Sequence, residues 1–158
     1  MSDLSRLPER SVIRVGGDDR LRFLDGLLSC QVASMAPGEL AYGALLSPQG
    51  KILCDMMVFA DADTVALDVP QSARDDLMRR LTLYKLRAAV TLAATDEAVA
   101  VTFAADREAR PDPRAKGLGG RRIAPADTPE VPEILERYAA ARIAAGVPDA
   151  GVDFALGD

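Results

Sequence analysis

The stretch that most constrains the fold runs from Tyr42 to Phe59, YGALLSPQGKILCDMMVF. Two apolar runs flank Ser47-Pro48-Gln49-Gly50, which reads as a type I turn. Pro48 pre-sets φ at the second position, and Gly50 is the usual occupant of the fourth. The stretch is therefore expected to form a β-hairpin. Its second arm is apolar apart from Lys51 and Asp55, and such an arm is buried on both faces or close to it. A carboxylate placed there must find hydrogen-bond donors, in the protein or on a ligand. The alternative is that Asp55 sits at a solvated strand end.

At 158 residues, the chain has room for one ordinary domain or two small intimate ones. Hydrophobic residues make up 49%, enough for a core. The net charge is −5, with Lys and Arg scattered, which argues against nucleic acid or an anionic membrane as the main partner. No apolar run approaches the ~18 residues that span a bilayer, and MSDLSRLPER lacks a signal-peptide core. The expected compartment is the cytoplasm. The absence of histidine removes Ser-His-Asp and Cys-His nucleophiles, His-ligated zinc and imidazole acid–base chemistry. Cys30 and Cys54 alone are too few to ligate an iron–sulfur cluster or a structural zinc within one chain. No metal site is expected, and the two thiols read as buried and reduced rather than as a redox pair.

In chain order, Ser11 to Val15 is a strand, turned by Gly16-Gly17, with Asp18 or Asp19 placed to cap the next helix. Leu21, Leu24, Leu27 and Leu28 share a stripe with Phe23 beside it, predicting a helix that ends near Cys30 or Gln31. Pro37-Gly38 marks a turn into the hairpin, Asp61-Ala62-Asp63 a second tight turn, and Thr64 to Val69 a third strand. After Pro70, Ser72 and Asp75 have capping-box spacing. Leu77, Met78, Leu81 and Tyr84 give a helical face that ends in Lys85 and Arg87. Ala88 to Ala94 reads as a strand. The order β-α-β-β-β-α-β makes residues 1–95 a first α+β unit with a mostly antiparallel sheet. Residues 96–158 read as a second, smaller and incomplete unit, opening with a strand from Ala98 to Phe103. The charged, Pro- and Gly-rich segment 106–120 is expected to be a solvated surface loop. Its Gly117 to Gly120 lacks the ending of a phosphate loop and reads as a turn. A helix follows over about 132–145, with Pro132 at its first position, Ile134, Leu135, Tyr138 and Ile143 on its apolar face, and Gly146 and Pro148 as stops. The last ten residues carry no periodic signal.

Four stretches, in order and spacing, resemble YgfZ-type folate-binding proteins of the aminomethyltransferase (glycine cleavage T-protein) superfamily. They are Val15-Gly16-Gly17-Asp18 with Phe23-Leu24, the hairpin Tyr42 to Asp55, Tyr84-Lys85-Leu86-Arg87, and Arg142 to Pro148. The resemblance covers nearly the whole chain but only the opening part of a typical member. A lysine-glycine-cysteine motif and a C-terminal β-barrel, both usual in the family, have no counterpart before Asp158; the expectation is a fragment.

The resemblance implies an α+β fold, with tetrahydrofolate as cofactor and iron–sulfur proteins or their assembly factors as partners. It implies an accessory role in iron–sulfur cluster assembly or maintenance. The alternatives are a tetrahydrofolate-dependent aminomethyltransferase and a ligand-free module. Transferases of the family carry an Asp-Asp pair where this chain has Cys54-Asp55, so enzyme status stays open. On the resemblance, Asp55 would accept hydrogen bonds from a pterin. Lys51 and Arg87 would attract the glutamate tail, and Tyr42 and Tyr84 would line the pocket. The other reading of these four is a solvated face or a core tyrosine with a wet hydroxyl. Because the family's pocket is closed by several domains, tight folate binding by these 158 residues is not expected.

Overall fold

A computed structural model describes residues 3–150 and 152–157; of the featureless last ten, Gly151 and Asp158 lie outside the described residues. Among the described residues, nine strands form two antiparallel sheets. The larger contains β2 (Arg10–Gly16), β3 (Leu40–Leu46), β4 (Ile52–Ala60), β5 (Val65–Pro70) and β6 (Thr91–Thr95), in the order β3-β4-β5-β2-β6. The smaller contains β1 (Leu4–Arg6), β7 (Ala98–Thr102), β8 (Arg110–Pro111) and β9 (Gly120–Ala124), in the order β1-β7-β9-β8. The described residues also form three α-helices: α1 (Arg20–Asp25), α2 (Arg74–Lys85) and α3 (Pro132–Ala145). The expected α+β class and the order β-α-β-β-β-α-β over the larger sheet are both present.

The hairpin forms as its sequence dictates. Tyr42 pairs with Met57, Ala44 with Asp55 and Leu45 with Cys54, with a register shift between Leu45 and Leu46. The Gly50 N–H donates to Ser47 O at 2.9 Å, and Ser47 Oγ accepts from the Gln49 and Lys51 N–H groups. Gly50 takes φ +83°, a conformation that suits the twist of a tight hairpin and that glycine adopts without a Cβ penalty.

Alternation along β4 and β5 gives the larger sheet two different faces. Cys54, Met56, Val58, Val65, Leu67 and Val69 join Leu24, Leu77 and Leu81 in a cluster under α1 and α2. Met57, Phe59 and Ala66 point the other way and pack with Val12, Val99, Val101 and Tyr138, so the second face is covered by the smaller sheet and α3. Each large side chain fully buried in these layers contributes roughly 1.5–3 kcal/mol. β1 pairs with β7 in the smaller sheet, so the chain enters through that sheet before building the larger one.

Several local expectations are corrected. Helix α1 stops at Asp25, not near Cys30: Leu28 leaves the helix to form a bridge with Leu45, and Ser29 N–H donates to Ala44 O. Neither predicted cap is made, because Asp19 accepts instead from Ala89 N–H and Arg22, and α2 begins after a 3₁₀ turn over Gln71–Ala73 with no side-chain cap. The strand placed at Ala88 to Ala94 runs from Thr91 to Thr95. Ile143 is 73% exposed, since nine residues after Ile134 bring it about half a turn round the helix; Arg142 takes the buried position instead. The segment 106–120 is not a solvated loop. It contains β8, and Asp112, Leu118 and the Arg114 side chain are buried.

Candidate functional site

Asp55 lies mid-strand on β4, facing the smaller sheet, and is 4% exposed. The solvated alternative is therefore excluded. Tyr42, one strand over and on the same face, donates from its hydroxyl to Asp55 Oδ2 at 2.6 Å. Burial first, then this hydrogen bond to the carboxylate, raises the Tyr42 phenol well above the ordinary tyrosine range, so it keeps its proton and remains the donor. The other oxygen, Oδ1, is buried and has no hydrogen-bond partner among the described residues. An unsatisfied buried acceptor of this kind costs about 1–3 kcal/mol, and it is what a ligand carrying N–H donors would relieve.

Asp68, also facing the smaller sheet beside Met57, is treated differently. Its Oδ1 accepts from Arg10 Nε at 2.7 Å and its Oδ2 from Arg121 Nε at 2.6 Å. Burial opposes its ionisation, but the two guanidinium groups outweigh that and hold the carboxyl below its ordinary value. Arg121 also donates to Tyr138 Oη at 3.0 Å, and Arg114 donates to the same oxygen at 2.8 Å. Arg114 further holds Asp112 and Asp149, and its guanidinium carbon lies 5.7 Å from the centroid of the Tyr42 ring. A cavity of about 160 Å³ opens beside this network, lined by Leu7, Arg10, Arg121, Tyr138 and Arg142 among others. Neither this cavity nor a larger cleft of about 550 Å³, between Arg14, Phe59, Arg107 and Arg110, has any of the five sequence-predicted site residues in its lining.

Those five fall in separate places. Tyr42 and Asp55 meet. Lys51 is exposed, and its backbone closes the hairpin turn. Tyr84, 46% exposed, sits on α2, whose buried Leu77 and Leu81 pack on the opposite face of the larger sheet from Asp55. Arg87 is exposed beyond the C-terminal end of α2. Arg10, Asp68, Arg114 and Arg121 escaped the sequence reading. Asp68 alone left a usable signal: like Asp55, it is a single carboxylate in an apolar strand.

The two thiols are unpaired. Cys54 is buried on the helix side, and burial, aided by the Asp55 carboxylate, pushes its thiol up to about 12. Cys30 is half-buried, and burial raises it too. Among the described residues, no group of three or more His, Cys, Asp or Glu is arranged to hold a metal ion, and no helix is long and apolar enough to cross a membrane.

No protein-family model matches the chain. Among curated proteins, it is 28% identical over 185 aligned positions to an iron–sulfur cluster assembly factor IBA57 homolog, mitochondrial, of Mycosarcoma maydis, covering 96% of this chain and 45% of that protein. It is 29% identical over 96 positions to the tRNA-modifying protein YgfZ of Sodalis glossinidius, covering 61% of this chain and 29% of that one. The chain thus spans less than half the length of these relatives. Its fold matches the glycine cleavage system aminomethyltransferase T of Bartonella henselae with a TM-score of 0.58 at 17% identity, over 97% of this chain and 34% of that one. The hairpin residues, the sequence relatives and the shared fold agree: this chain is similar to YgfZ-type proteins and shares the fold of the aminomethyltransferase superfamily.

Proposed function

We propose that the chain supplies the Asp55 wall of a tetrahydrofolate site in an accessory protein for iron–sulfur cluster assembly or maintenance. The observation that carries this reading is Asp55 itself: one oxygen is held by Tyr42, and the other is buried with no partner among the described residues. A carboxylate prepared in this way suits the paired N–H donors of a pterin's amino and ring nitrogens. Tyr42, 40% exposed, offers a ring edge beside it. The folate, when bound, would carry a one-carbon unit; this chain's residues bind and orient it. Lys51, Tyr84 and Arg87 belong to this reading only as contacts of a longer folate tail or of a further wall. Iron–sulfur assembly is favoured by the name of the relative that spans almost the whole chain. Other relatives are named as tRNA-modifying proteins, but a net charge of −5 favours protein clients over direct tRNA contact. The cytoplasmic setting is part of the same proposal.

Aminomethyl transfer is less well supported. At the first position of the family's carboxylate pair, Cys54 is buried among apolar side chains on the helix side and, with a thiol pushed up to about 12, carries no charge there.

Calorimetry with 5-formyltetrahydrofolate tests the proposal on the 158-residue chain and on a chain of the relatives' length. The longer chain is expected to bind and the shorter to bind feebly, because a one-walled site leaves a ligand in water that a good pocket buries by about 70–90%. Asp55→Ala in the longer chain is expected to abolish binding. Unchanged affinity in that variant would overturn the choice of Asp55, and tight binding by the short chain would overturn the shared wall.

A further inference from the structure

Arg114 lies between β8 and β9, with its side chain only 7% exposed. Its Nε and Nη2 donate to the two oxygens of Asp112 at 3.1 and 2.8 Å, Nη2 also to Tyr138 Oη at 2.8 Å, and Nη1 to Asp149 Oδ1 at 3.2 Å. Hydrogen bonds made by a guanidinium lie close to its plane and leave its faces free. The guanidinium carbon is 5.7 Å from the Tyr42 ring centroid, within cation–π reach.

We propose that Arg114 is a positioning residue of the Asp55 site: it lies against the Tyr42 ring and keeps the phenol donating to Asp55 Oδ2, which leaves Oδ1 unpaired for the ligand. The inference rests on the reading of Asp55 as the ligand-binding carboxylate. A tyrosine that is 40% exposed on a strand can exchange its hydroxyl between a carboxylate and water, and fixing it costs side-chain entropy. A second contact on the ring offsets that cost. Arg114 is itself held by three acceptors, so it meets the ring in one pose. Asp112 and Tyr138 outweigh the effect of burial and keep it protonated at every accessible pH. The segment 106–120 thereby becomes part of the site, coupling the smaller sheet to the orientation of a carboxylate on the larger one. A purely structural Arg114 would instead act only on Tyr138 and Asp149, tying its loop to α3 and the segment after it.

The three tyrosines, Tyr42, Tyr84 and Tyr138, separate these roles. The chain is labelled with carbon-13 at tyrosine Cζ and its resonances are assigned by single Phe replacements. In Arg114→Met, the Tyr42 and Tyr138 resonances are both expected to move, Tyr42 toward the position of a solvated phenol, while Tyr84 stays. Movement of Tyr138 alone would overturn the proposal. Because Arg114→Met removes a buried cation and could unfold the chain, the reciprocal variants are read at the Arg114 side-chain N–H. Tyr42→Leu is expected to shift it and Tyr42→Phe, which keeps the ring, to leave it nearly in place. No shift in Tyr42→Leu would also overturn the proposal. In a chain of the relatives' length, Arg114→Met is expected to weaken 5-formyltetrahydrofolate roughly 3- to 30-fold, with Arg114→Lys restoring only part. Loss of binding in Asp55→Ala with none in Arg114→Met would sink the positioning role alone. Undiminished binding in Asp55→Ala would sink the Asp55 reading and, with it, the purpose of the clamp.

Discussion

Replacing Asp68 with alanine should be among the most damaging single changes available to this fold. The carboxylate is fully buried and bridges Arg10 on β2 to Arg121 on β9, thus joining the two sheets, with N–O distances of 2.7 and 2.6 Å. Arg121 is only 3% exposed. In Asp68→Ala it would keep Tyr138 Oη at 3.0 Å but lose its counter-charge. Breaking a buried pair from one side costs about 3–5 kcal/mol, because the remaining ion stays desolvated and unpaired. In a chain of 158 residues, where each kcal/mol moves Tm by about 2–4 °C, the expected fall is roughly 6–20 °C. Urea unfolding followed by circular dichroism measures the same loss as a lower midpoint at unchanged slope. The control is Asp76→Ala, which removes an exposed carboxylate paired with Arg79 and Arg80 on α2 and should cost under about 1 kcal/mol. The double variant Asp68→Leu with Arg121→Met should recover much of the loss, since apolar replacement of a whole buried pair is often neutral. Equal losses in Asp68→Ala and Asp76→Ala would refute the argument that the bridge holds the sheets together.

Acid titration extends the test. Asp68 is held below its ordinary value of 3.8, so its contribution is complete above that value and is lost as pH falls through the lowered one; Asp68→Asn should flatten the acid limb of stability against pH, and an unchanged limb would count against it. Gly50→Val should cost about 1–2 kcal/mol from backbone strain alone, because φ is +83° and an added Cβ would meet nothing within 4 Å; Gly50→Asn, which tolerates that region, should cost less in thermal melts, and equal costs would contradict the strain argument. Iodoacetamide at pH 8 should label half-buried Cys30 before Cys54, whose thiol stands at about 12, with Cys54 reacting only on unfolding; faster labelling of Cys54 would refute its burial. Purified protein should be colourless, and stoichiometric iron or zinc on elemental analysis would overturn the reading of two plain thiols.

Much of the larger sheet was legible because its signals are local. The Ser-Pro-Gln-Gly turn, the apolar arm after it, and the glycines that end the first strand and the last helix each act within a few residues of themselves; Gly17 at φ +97° and Gly146 at φ +70° sit where L side chains rarely go. The unread elements depend on distant partners. β1 is three residues long and exists as a strand because β7 lies beside it. The end of α1 is set by Leu28 pairing with Leu45 on another strand, not by a stop signal in its own sequence. The segment 106–120 has the composition of a solvated loop, yet Asp112 and Arg114 satisfy one another and are buried together; composition cannot distinguish charges that face water from charges that neutralise each other. The same blindness hid half the proposed site. Asp55 could be picked out as a charge in an apolar strand, but Arg114 could not, since nothing near it in sequence shows that it would meet Tyr42.

The two carboxylates on the face toward the smaller sheet show why Asp55 reads as a site and Asp68 as a joint. They lie on adjacent strands of one apolar layer, with four arginines, Arg10, Arg114, Arg121 and Arg142, gathered around it. Asp68 takes a guanidinium on each oxygen. Arg114 comes within 5.7 Å of the Tyr42 ring, yet its donors go to Asp112, Asp149 and Tyr138. Asp55 is left with a single phenol and a buried oxygen that has no partner among the described residues. If stability alone had shaped this layer, a donor on that oxygen would be expected, because a charge-assisted bond is worth more than a buried orphan. The nearby donors are instead committed elsewhere, each by at least one carboxylate. A buried acceptor left unpaired among so many donors is the arrangement expected where the missing partner arrives from outside the chain.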